Sequence, residues 1–464
     1  MSLQVAVLVE ESLPWHAKVL ASLSDRASLT LDPLATADVV LDLRRPPEGV
    51  PGAGFGPGQE VWAFEVGTGG RSGLGQPGRR ELADGAPTCD VRLVRLRPNG
   101  VQVLREGRLP VQGDGPDDVA RALLARLVDW PRWALAARDL PPRSTEAARV
   151  PLPPTPPPVP RTLALRRRLL RRTTEVVLRE HWNLGLCRGA TLEGLVSGAP
   201  LPPPQWASEV PDAYLADPFA LPGGERLMAE RYSLVGDGAP ATLVELEWDG
   251  GEAAPVVTAQ GPSSSGHVSY PSVFAHNGAL WCTPESASDS EIVLWRREDD
   301  RWVRVRTLLA VPGVDPDLVL HDGRWWLFFG LEGDRKDEEL HLAWAGALDG
   351  EFRLHPLNPV VRDVCAARGG GRPFVVAGVL HRPAQDCSTT YGGSLALAEI
   401  VSLSPLDYQQ RVIRRLDPFP PYGAGLHTLN AVVGGVVVDG KRSELAPGAV
   451  ADKLVRRVWG RAGG

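Results

Sequence analysis

Residues Tyr270–Trp281 read YPSVFAHNGALW, and 45 positions later residues Asp315–Trp326 read DPDLVLHDGRWW. Proline aligns with proline, glycine with glycine and tryptophan with tryptophan. Each copy indicates a short apolar strand, an Asn-Gly or Asp-Gly hairpin turn and a second strand rich in aromatic residues. A third copy opens at Asp217-Pro218 and turns at Gly223-Gly224. The repeated unit is therefore a β-hairpin.

Five segments of this kind follow one another in the second half of the chain. They open at Asp217, His267, Asp315, Arg368 and His427, which are 50, 48, 53 and 59 residues apart. This spacing is typical of four-stranded propeller blades. We therefore predict an all-β five-bladed β-propeller over residues 182–440.

The composition favours an ordinary globular protein of two domains, with 464 residues of which 43% are hydrophobic. A net charge of -6 argues against a nucleic-acid partner, because such binding requires a basic surface. The amino terminus has no signal-peptide pattern, and no apolar run approaches the ~20 residues that span a bilayer. Five cysteines without paired spacing predict neither a disulfide framework nor a zinc site. We expect a cytoplasmic protein that requires no metal and no cofactor.

The first 140 residues predict a small α/β domain. Val5–Val9 and Ala37–Leu43 are continuous apolar runs typical of parallel strands, and Trp15–Leu23 is helix-like. Glycine and proline crowd residues 46–78, so we expect loops there. Residues 117–140 show the periodicity of a helix.

A proline-rich linker at residues 141–160 separates the domains, because its polyproline run cannot join a core. A helix carrying six arginines is predicted at 161–181, and a tail at 441–464. The arginine-rich helix suits contact with an anionic membrane surface or with a phosphorylated sugar donor. A solvated helix face that packs by its leucines is the favoured interpretation.

A series of short motifs occurs in one order along the propeller half of the chain. They are Trp182–Gly185, Tyr214–Phe219, Glu230, His267–Pro271, Pro284-Glu285, Asp315-Pro316, His355–Val360, Arg368, Arg382–Asp386, Tyr391-Gly392 and His427-Thr428. The series resembles the amino-terminal propeller region of plant glucosamine inositolphosphorylceramide transferases and their bacterial relatives. In the plant proteins a glycosyltransferase domain follows this region, and nothing like it follows residue 440 here. The resemblance thus implies a sugar-related role.

More distantly, five blades that open on Asp-Pro resemble the fold of glycoside hydrolase families 43, 32 and 68, whose acidic residues surround the propeller axis. The first domain is similar in outline to the amino-terminal domain of formyltransferases, which bacterial relatives fuse to this propeller. Formyl transfer in that family uses an Asn, an Asp and a His in a His-Pro-Ser-Leu-Leu-Pro-like loop. Here His16 is the domain's one histidine and the loop is missing. The resemblance implies a degenerate, structural or docking domain, and residual formyl transfer is disfavoured.

Residues at equivalent repeat positions converge on the axis of a propeller, because the innermost strand of every blade runs beside it. Asp217 and Asp315 occupy the same position in their blades, and Tyr270 is the matching residue of the second blade. His267 and Arg368 stand close to that position, and His427 is the contribution of the fifth blade.

Cleavage of a glycosidic bond requires one carboxylic acid and one carboxylate. We assign Asp217 as base or nucleophile, Glu285 as acid and Asp315 as the group that orients a sugar hydroxyl or tunes the acid. Arg368 would orient a carboxylate or phosphate, which it can bind through two hydrogen bonds. The remaining predicted substrate-binding residues are Glu230, His267, Tyr270, Gln385, Asp386 and His427.

Two functions stay open from the sequence. In the first, the propeller cleaves or transfers a glycosyl unit of a glycan or glycoconjugate through these carboxylates. In the second, it is a non-catalytic glycan-binding or scaffold domain that assists a separate glycosyltransferase. Asp residues before proline also accept backbone hydrogen bonds at bends, which favours the second.

Overall fold

The computed structural model describes residues 4–8, 14–24, 27–30, 37–43, 59–67, 74, 77–97, 100–138, 178–224, 226–235 and 240–445. These residues form two compact units. The first consists mainly of the described residues before 139, and the second mainly of those from 178 onward.

Six strands form the sheet of the first unit. They are β1 (Gln4–Leu8), β2 (Ser28–Thr30), β3 (Val39–Asp42), β4 (Glu60–Val66), β5 (Thr88–Arg97) and β6 (Gly100–Pro110). The order is β2-β1-β3-β4-β5-β6. Strands β1 to β4 are parallel, whereas β4, β5 and β6 pair antiparallel. The likeness of this sheet to formyltransferases stays a prediction.

Four helices accompany this sheet: α1 (Pro14–Leu23), α2 (Arg79–Asp84), α3 (Pro116–Leu127) and α4 (Trp130–Ala136). Val5 and Val7 of β1, Val19 of α1 and Leu123 of α3 are buried in one apolar cluster. Burial of these side chains attaches the helices to the sheet. Within the described residues, no helix has the length and apolar character needed to cross a membrane.

Two stretches of the first unit differ from the sequence expectation. Residues 46–78 were expected to be loops, yet they contain β4, whose Val61, Trp62 and Phe64 are buried. The predicted helix 117–140 is interrupted between α3 and α4. Pro131 explains the interruption, because proline lacks an N–H and is tolerated only in the first turn of a helix.

The second unit is a five-bladed β-propeller, as predicted. Its first ten strands are β7 (Leu178–Arg188), β8 (Gln205–Trp206), β9 (Ala213–Ala220), β10 (Arg226–Ser233), β11 (Thr242–Glu247), β12 (Val256–Gln260), β13 (Ser269–His276), β14 (Ala279–Glu285), β15 (Ile292–Glu298) and β16 (Arg301–Leu309). A short helix, Leu192–Val196, lies between β7 and β8.

The remaining strands are β17 (Gly313–His321), β18 (Arg324–Leu331), β19 (Glu339–Ala345), β20 (Arg353–Leu354), β21 (Val361–Arg362), β22 (Phe374–Val376), β23 (Val379–Asp386), β24 (Ser394–Ser404), β25 (Asp407–Leu416), β26 (Leu429–Val432) and β27 (Gly435–Leu445). The blades are β9–β12, β13–β16, β17–β20 with β21 beside β19, β22–β25, and β26-β27-β7-β8. Strands β9, β13, β17, β22 and β26 are innermost.

The last blade joins strands from both ends of the propeller. Strand β7 pairs antiparallel with β27 over its whole length, from Leu178 opposite Leu445 to Arg188 opposite Gly435. Residues 178–181, expected at the end of the basic helix, are therefore strand, and residues 441–445, expected in the tail, complete β27. The hydrogen bonds of this pair require the longer boundaries. The rest of the predicted linker, basic helix and tail lies outside the described residues.

The two clearest repeats turn as the sequence predicts. Asn277 and Gly278 have φ of 49° and 74°, and Asp322 and Gly323 have φ of 46° and 70°. Positive φ at both central residues is the requirement of the type I′ turn that joins twisted strands. The Asn-Gly and Asp-Gly pairs are thus selected by backbone geometry.

Replacing Gly323 by alanine should lower the free energy of unfolding by about 1–2 kcal/mol, because a side chain disfavours the left-handed region. An added Cβ would meet nothing within 4 Å there, so the loss isolates backbone strain. Gly346 is the matched control, since its Cβ position is equally open and its φ is not left-handed. Thermal unfolding should show a lowered Tm for Gly323→Ala and an unchanged Tm for Gly346→Ala. Equal Tm values would contradict the assigned turn.

Candidate functional site

Three inner strands share a strained backbone at their predicted site residue. Asp217, Tyr270 and Asp315 each precede a proline and have φ of 51°, 45° and 45°. Few residues other than glycine occupy this region. The pairing register of each of these hairpins shifts at the same place, which marks a β-bulge. A bulge changes the direction of side chains, and such strain is found at functional sites.

Acidic side chains connect these strained positions from one blade to the next. Asp439 of β27 accepts a hydrogen bond from the Asp217 N–H at 2.9 Å. Asp217 accepts one from the Tyr270 N–H at 3.2 Å. Glu285 of β14 accepts one from the Asp315 N–H at 3.0 Å. Each buried N–H thus finds its acceptor on the preceding blade, and we call these contacts the inter-blade caps.

His427 lies between two of the capping carboxylates. Its Nδ1 is 2.6 Å from Asp439 Oδ2, and its Nε2 is 3.5 Å from Asp217 Oδ1. The ring stacks on Trp182 with 3.8 Å between centroids. Burial favours the neutral imidazole, but Asp439 and Asp217 outweigh it and raise the pKa of His427. The imidazolium in turn holds the pKa of Asp439 below its usual value despite burial.

Arg368 forms a buried ion pair with Asp315. Its Nε donates to Asp315 Oδ2 at 2.7 Å, and its Nη1 donates to Asp337 Oδ1 at 2.7 Å. Gln385 Nε2 also donates to Asp315 Oδ2, at 3.2 Å. A Cβ on Gly369 would lie 2.8 Å from the Asp315 Cβ, so glycine is needed for this close approach. Burial raises the pKa of Asp315 to about 7, although Arg368 acts in the opposite direction.

Glu230 differs from the capping carboxylates. Among the described residues its carboxyl group makes no hydrogen bond, and its Oε1 lies 3.7 Å from His267 Nε2. Burial raises the pKa of Glu230 to about 8, with further contributions from Glu285, Asp439 and Asp315. These surroundings favour the protonated form of Glu230. Glu230 on β10 pairs with Ala216 on β9, the residue that precedes Asp217.

Seven of these residues form one group that we call the axial cluster. Its members are Asp217, Glu230, Glu285, Asp315, Arg368, His427 and Asp439. All seven side chains are buried. Six of them were predicted from the sequence as site residues, and the structure brings those six together.

Tyr270 has a structural role that links its blade to other blades. Its hydroxyl donates to Asp317 Oδ2 at 2.9 Å and accepts from the Gly371 N–H at 2.7 Å. Ser272 donates to the other Asp317 oxygen at 2.8 Å. Both functions of the phenol are thus occupied, and only its backbone N–H takes part in the caps.

Asp386 and Gln385 point in different directions because they are neighbours on β23. Gln385 donates to Asp315, whereas Asp386 forms an ion pair with Arg415 and accepts from the Ser388 N–H at 3.0 Å. His267 contacts Glu230 and keeps 46% of its side chain exposed. Asp386, which was predicted to bind substrate, is thus engaged in local contacts and is not a member of the axial cluster.

Sequence reasoning missed Asp439 and Asp337. Asp439 follows Val436–Val438, whose side chains are completely buried, so a single acid directly after an apolar run was the available signal. Asp337 lies in the acidic and basic stretch 334–339, which reads as solvated surface. Only its contact with Arg368 identifies it.

One part of the cluster has ligand atoms spaced for a cation. Atoms of Asp217, His427 and Asp439 all lie within 4.8 Å of one another. To ligate a cation, His427 would have to lose the proton that Asp439 and Asp217 favour. The carboxylates that would attract a cation therefore also favour a proton at this position.

Comparison with known proteins places part of the propeller. Residues 261–416 match the family described as glucosamine inositolphosphorylceramide transferase 1, N-terminal. The transferase of that name from Oryza sativa subsp. indica is 36% identical over 151 residues, which are 31% of this chain and 20% of the rice protein. The Arabidopsis thaliana protein is 29% identical over 217 residues, 44% of this chain and 28% of that protein. The chain thus spans about a fifth of the length of the rice relative.

Solved structures are similar in fold alone. A family 117 glycoside hydrolase from Zobellia galactanivorans aligns with a TM-score of 0.36 and 12% identity, over 58% of this chain and 91% of that one. A family 43 β-1,3-galactosidase aligns with a TM-score of 0.34 and 10% identity, over 44% and 47%. The chain contains a five-bladed propeller. Residues 261–416 of that propeller are similar to the N-terminal region of the plant transferases.

Proposed function

We propose that the propeller binds a glycan or glycoconjugate at the axial cluster and cleaves or transfers one glycosyl unit. The observation that carries this proposal is the carboxyl pair Asp217 and Glu230 on adjacent strands. Burial raises the pKa of Asp217 well above its usual value, His427 opposes that rise, and Glu230 adds to it. Two such groups titrate together, so the pair keeps a proton at neutral pH.

The roles follow from what each carboxyl group contacts. Glu230 carries the proton and makes no hydrogen bond within the described residues, so it is the proposed acid that protonates the leaving oxygen. Glu285 is less suited, because its oxygen accepts the Asp315 N–H. Asp217 is the proposed base or nucleophile, with His427 beside its second oxygen. Asp315 and Arg368 would orient a sugar hydroxyl or an anionic group.

The substrate class rests on the matched family. The relatives are named glucosamine inositolphosphorylceramide transferases. A sugar-containing substrate, and a separate glycosyltransferase as partner, agree with that name. Only the class is carried over, because the chain covers 20% of the rice protein.

A non-catalytic glycan-binding or scaffold propeller is the second candidate. The inter-blade caps favour it, since Asp217, Glu285 and Asp439 all accept backbone hydrogen bonds. Arg368 likewise occupies one oxygen of Asp315. These contacts are what a rigid binding surface would need.

Turnover and binding separate the two candidates. The full chain is incubated with a panel of 4-nitrophenyl glycosides of hexoses, pentoses and hexosamines, and glycan binding is measured by calorimetry. We expect Glu230→Gln and Asp217→Asn to lower kcat by about 10²- to 10⁴-fold, the usual contribution of an acid or base, while Kd changes little. Glu247→Gln, an exposed exchange on β11, is the control. Glycan binding without turnover in the unaltered protein would support the scaffold. The absence of both glycan binding and turnover would refute both candidates.

The pKa of Glu230 also predicts how stability depends on pH. Its folded value of about 8 exceeds the ordinary 4.5, so the folded state binds the proton more tightly. This stabilisation is complete below about pH 4.5 and is lost as the pH rises through about 8. Glu230→Gln cannot ionise, so it should unfold at a higher Tm than the unaltered protein at pH 9, by several degrees, and the gap should shrink at pH 5.

Thermal unfolding from pH 5 to pH 9 measures this difference. Glu247→Gln should follow the unaltered protein at every pH, because Glu247 is exposed. Parallel curves for Glu230→Gln and the unaltered protein would mean that Glu230 is ionised normally, and the assignment of Glu230 as acid would fall.

A further inference from the structure

A cavity of about 300 Å³ lies further along the inner strands than the axial cluster. Phe219, Val273 and Leu429 line it, two or three residues beyond Asp217, Tyr270 and His427. At ~3.3 Å per residue, the cavity is displaced along the strands by roughly 7–10 Å. Its apolar lining also includes Phe374 of β22, so four blades contribute.

Arg372 brings a positive charge to this apolar cavity. Its Nη1 donates to the Val273 carbonyl at 2.5 Å, and its guanidinium lies 5.1 Å from the centre of the Phe274 ring. Its backbone N–H donates to Asn430 Oδ1 at 2.9 Å, and Asn430 donates to the Pro218 carbonyl at 2.9 Å. These contacts fix the arginine against two inner strands.

The guanidinium of Arg372 makes few direct polar contacts. Across the described part of the chain, no carboxylate forms an ion pair with it, and its Nε and Nη2 donate no hydrogen bond. Burial lowers the pKa of Arg372 to about 10, with Asp317 acting in the opposite direction. Asp317 acts on this charge only from beyond ion-pair distance, so a bound anion would be the first carboxylate to pair with the guanidinium directly.

We propose that this cavity binds a small carboxylic acid with an aliphatic or aromatic body. Nε and Nη2 form one edge of the guanidinium, and their parallel N–H groups match the two oxygens of a carboxylate. The body of the ligand lies against Phe219, Phe374 and Leu429. A single cation in an apolar lining selects a monoanion over a sugar or a polyphosphate.

The volume sets the size of the ligand. A cavity of about 150 Å³ holds one benzene molecule, so 300 Å³ holds a phenyl ring with a short acidic side chain. The probe is therefore 3-phenylpropionate, and 3-phenylpropionamide is its uncharged match. This site is separate from the axial cluster, so its test does not depend on glycan activity.

Calorimetry on the full chain tests the proposal. The acid should bind at least tenfold more tightly than the amide. Arg372→Met should abolish this preference, and Arg301→Met, an exposed exchange on β16, should preserve it. Ala431→Phe, at an exposed position of the lining, should weaken binding of both probes by filling the cavity.

Three results would overturn the proposal. The first is equal affinity for acid and amide in the unaltered protein, which needs no variant to fold. The second is an undiminished acid preference in Arg372→Met that unfolds at a normal Tm. The third is binding of inorganic phosphate as tight as that of 3-phenylpropionate, which would show an anion site without an apolar requirement.

Discussion

The inter-blade caps are the constraint on which the rest of the propeller depends. A blade can start in the left-handed conformation at Asp217, Tyr270 or Asp315 only if its backbone N–H finds a partner away from the sheet ladder. Asp439, Asp217 and Glu285 supply those partners from the preceding blade. The same contacts therefore set the bulge of each hairpin, fix neighbouring blades to each other and bring acidic groups to the axis.

Burial of these acids beside one another shifts their pKa values. The axial cluster contains five acidic side chains and two basic ones, Arg368 and His427, and all are buried. Full ionisation would leave uncompensated negative charge in a poorly solvated place. Burial raises the pKa of Glu230 and of Asp315, and the neighbouring carboxylates add to both shifts. Asp439 and Asp217 raise the pKa of His427 against the effect of burial. The shifted pKa values are thus tied to the way in which the blades are joined.

The sequence predicts the repeat well because its signals are local. Asn277-Gly278 and Asp322-Gly323 specify their own turns, and the proline after Asp217 and Asp315 marks equivalent positions.

The sequence predicts less where the hydrogen-bonding partner of a residue is distant along the chain. Asp439 matters through the N–H of Asp217, 222 residues away, and no local pattern shows that. Strand β4 lies in a stretch rich in glycine and proline, and this composition predicted loops there. The start of β7 is defined only by its pairing with β27. Gln385 and Asp386 were both predicted to bind substrate, although adjacent residues of a strand such as β23 face opposite sides of the sheet.

The difference between Glu230 and the capping acids bears on the choice between enzyme and scaffold. A capping acid contributes to stability because its oxygen accepts a backbone hydrogen bond, as Glu285 does for Asp315. Glu230 caps nothing within the described residues, and burial together with neighbouring acids raises its pKa to about 8. A glutamine or an apolar residue would fill that position without the cost of a buried ionisable group. Since unfavourable local choices of this kind are found mainly at functional sites, Glu230 favours proton transfer at the axis over a purely structural cluster.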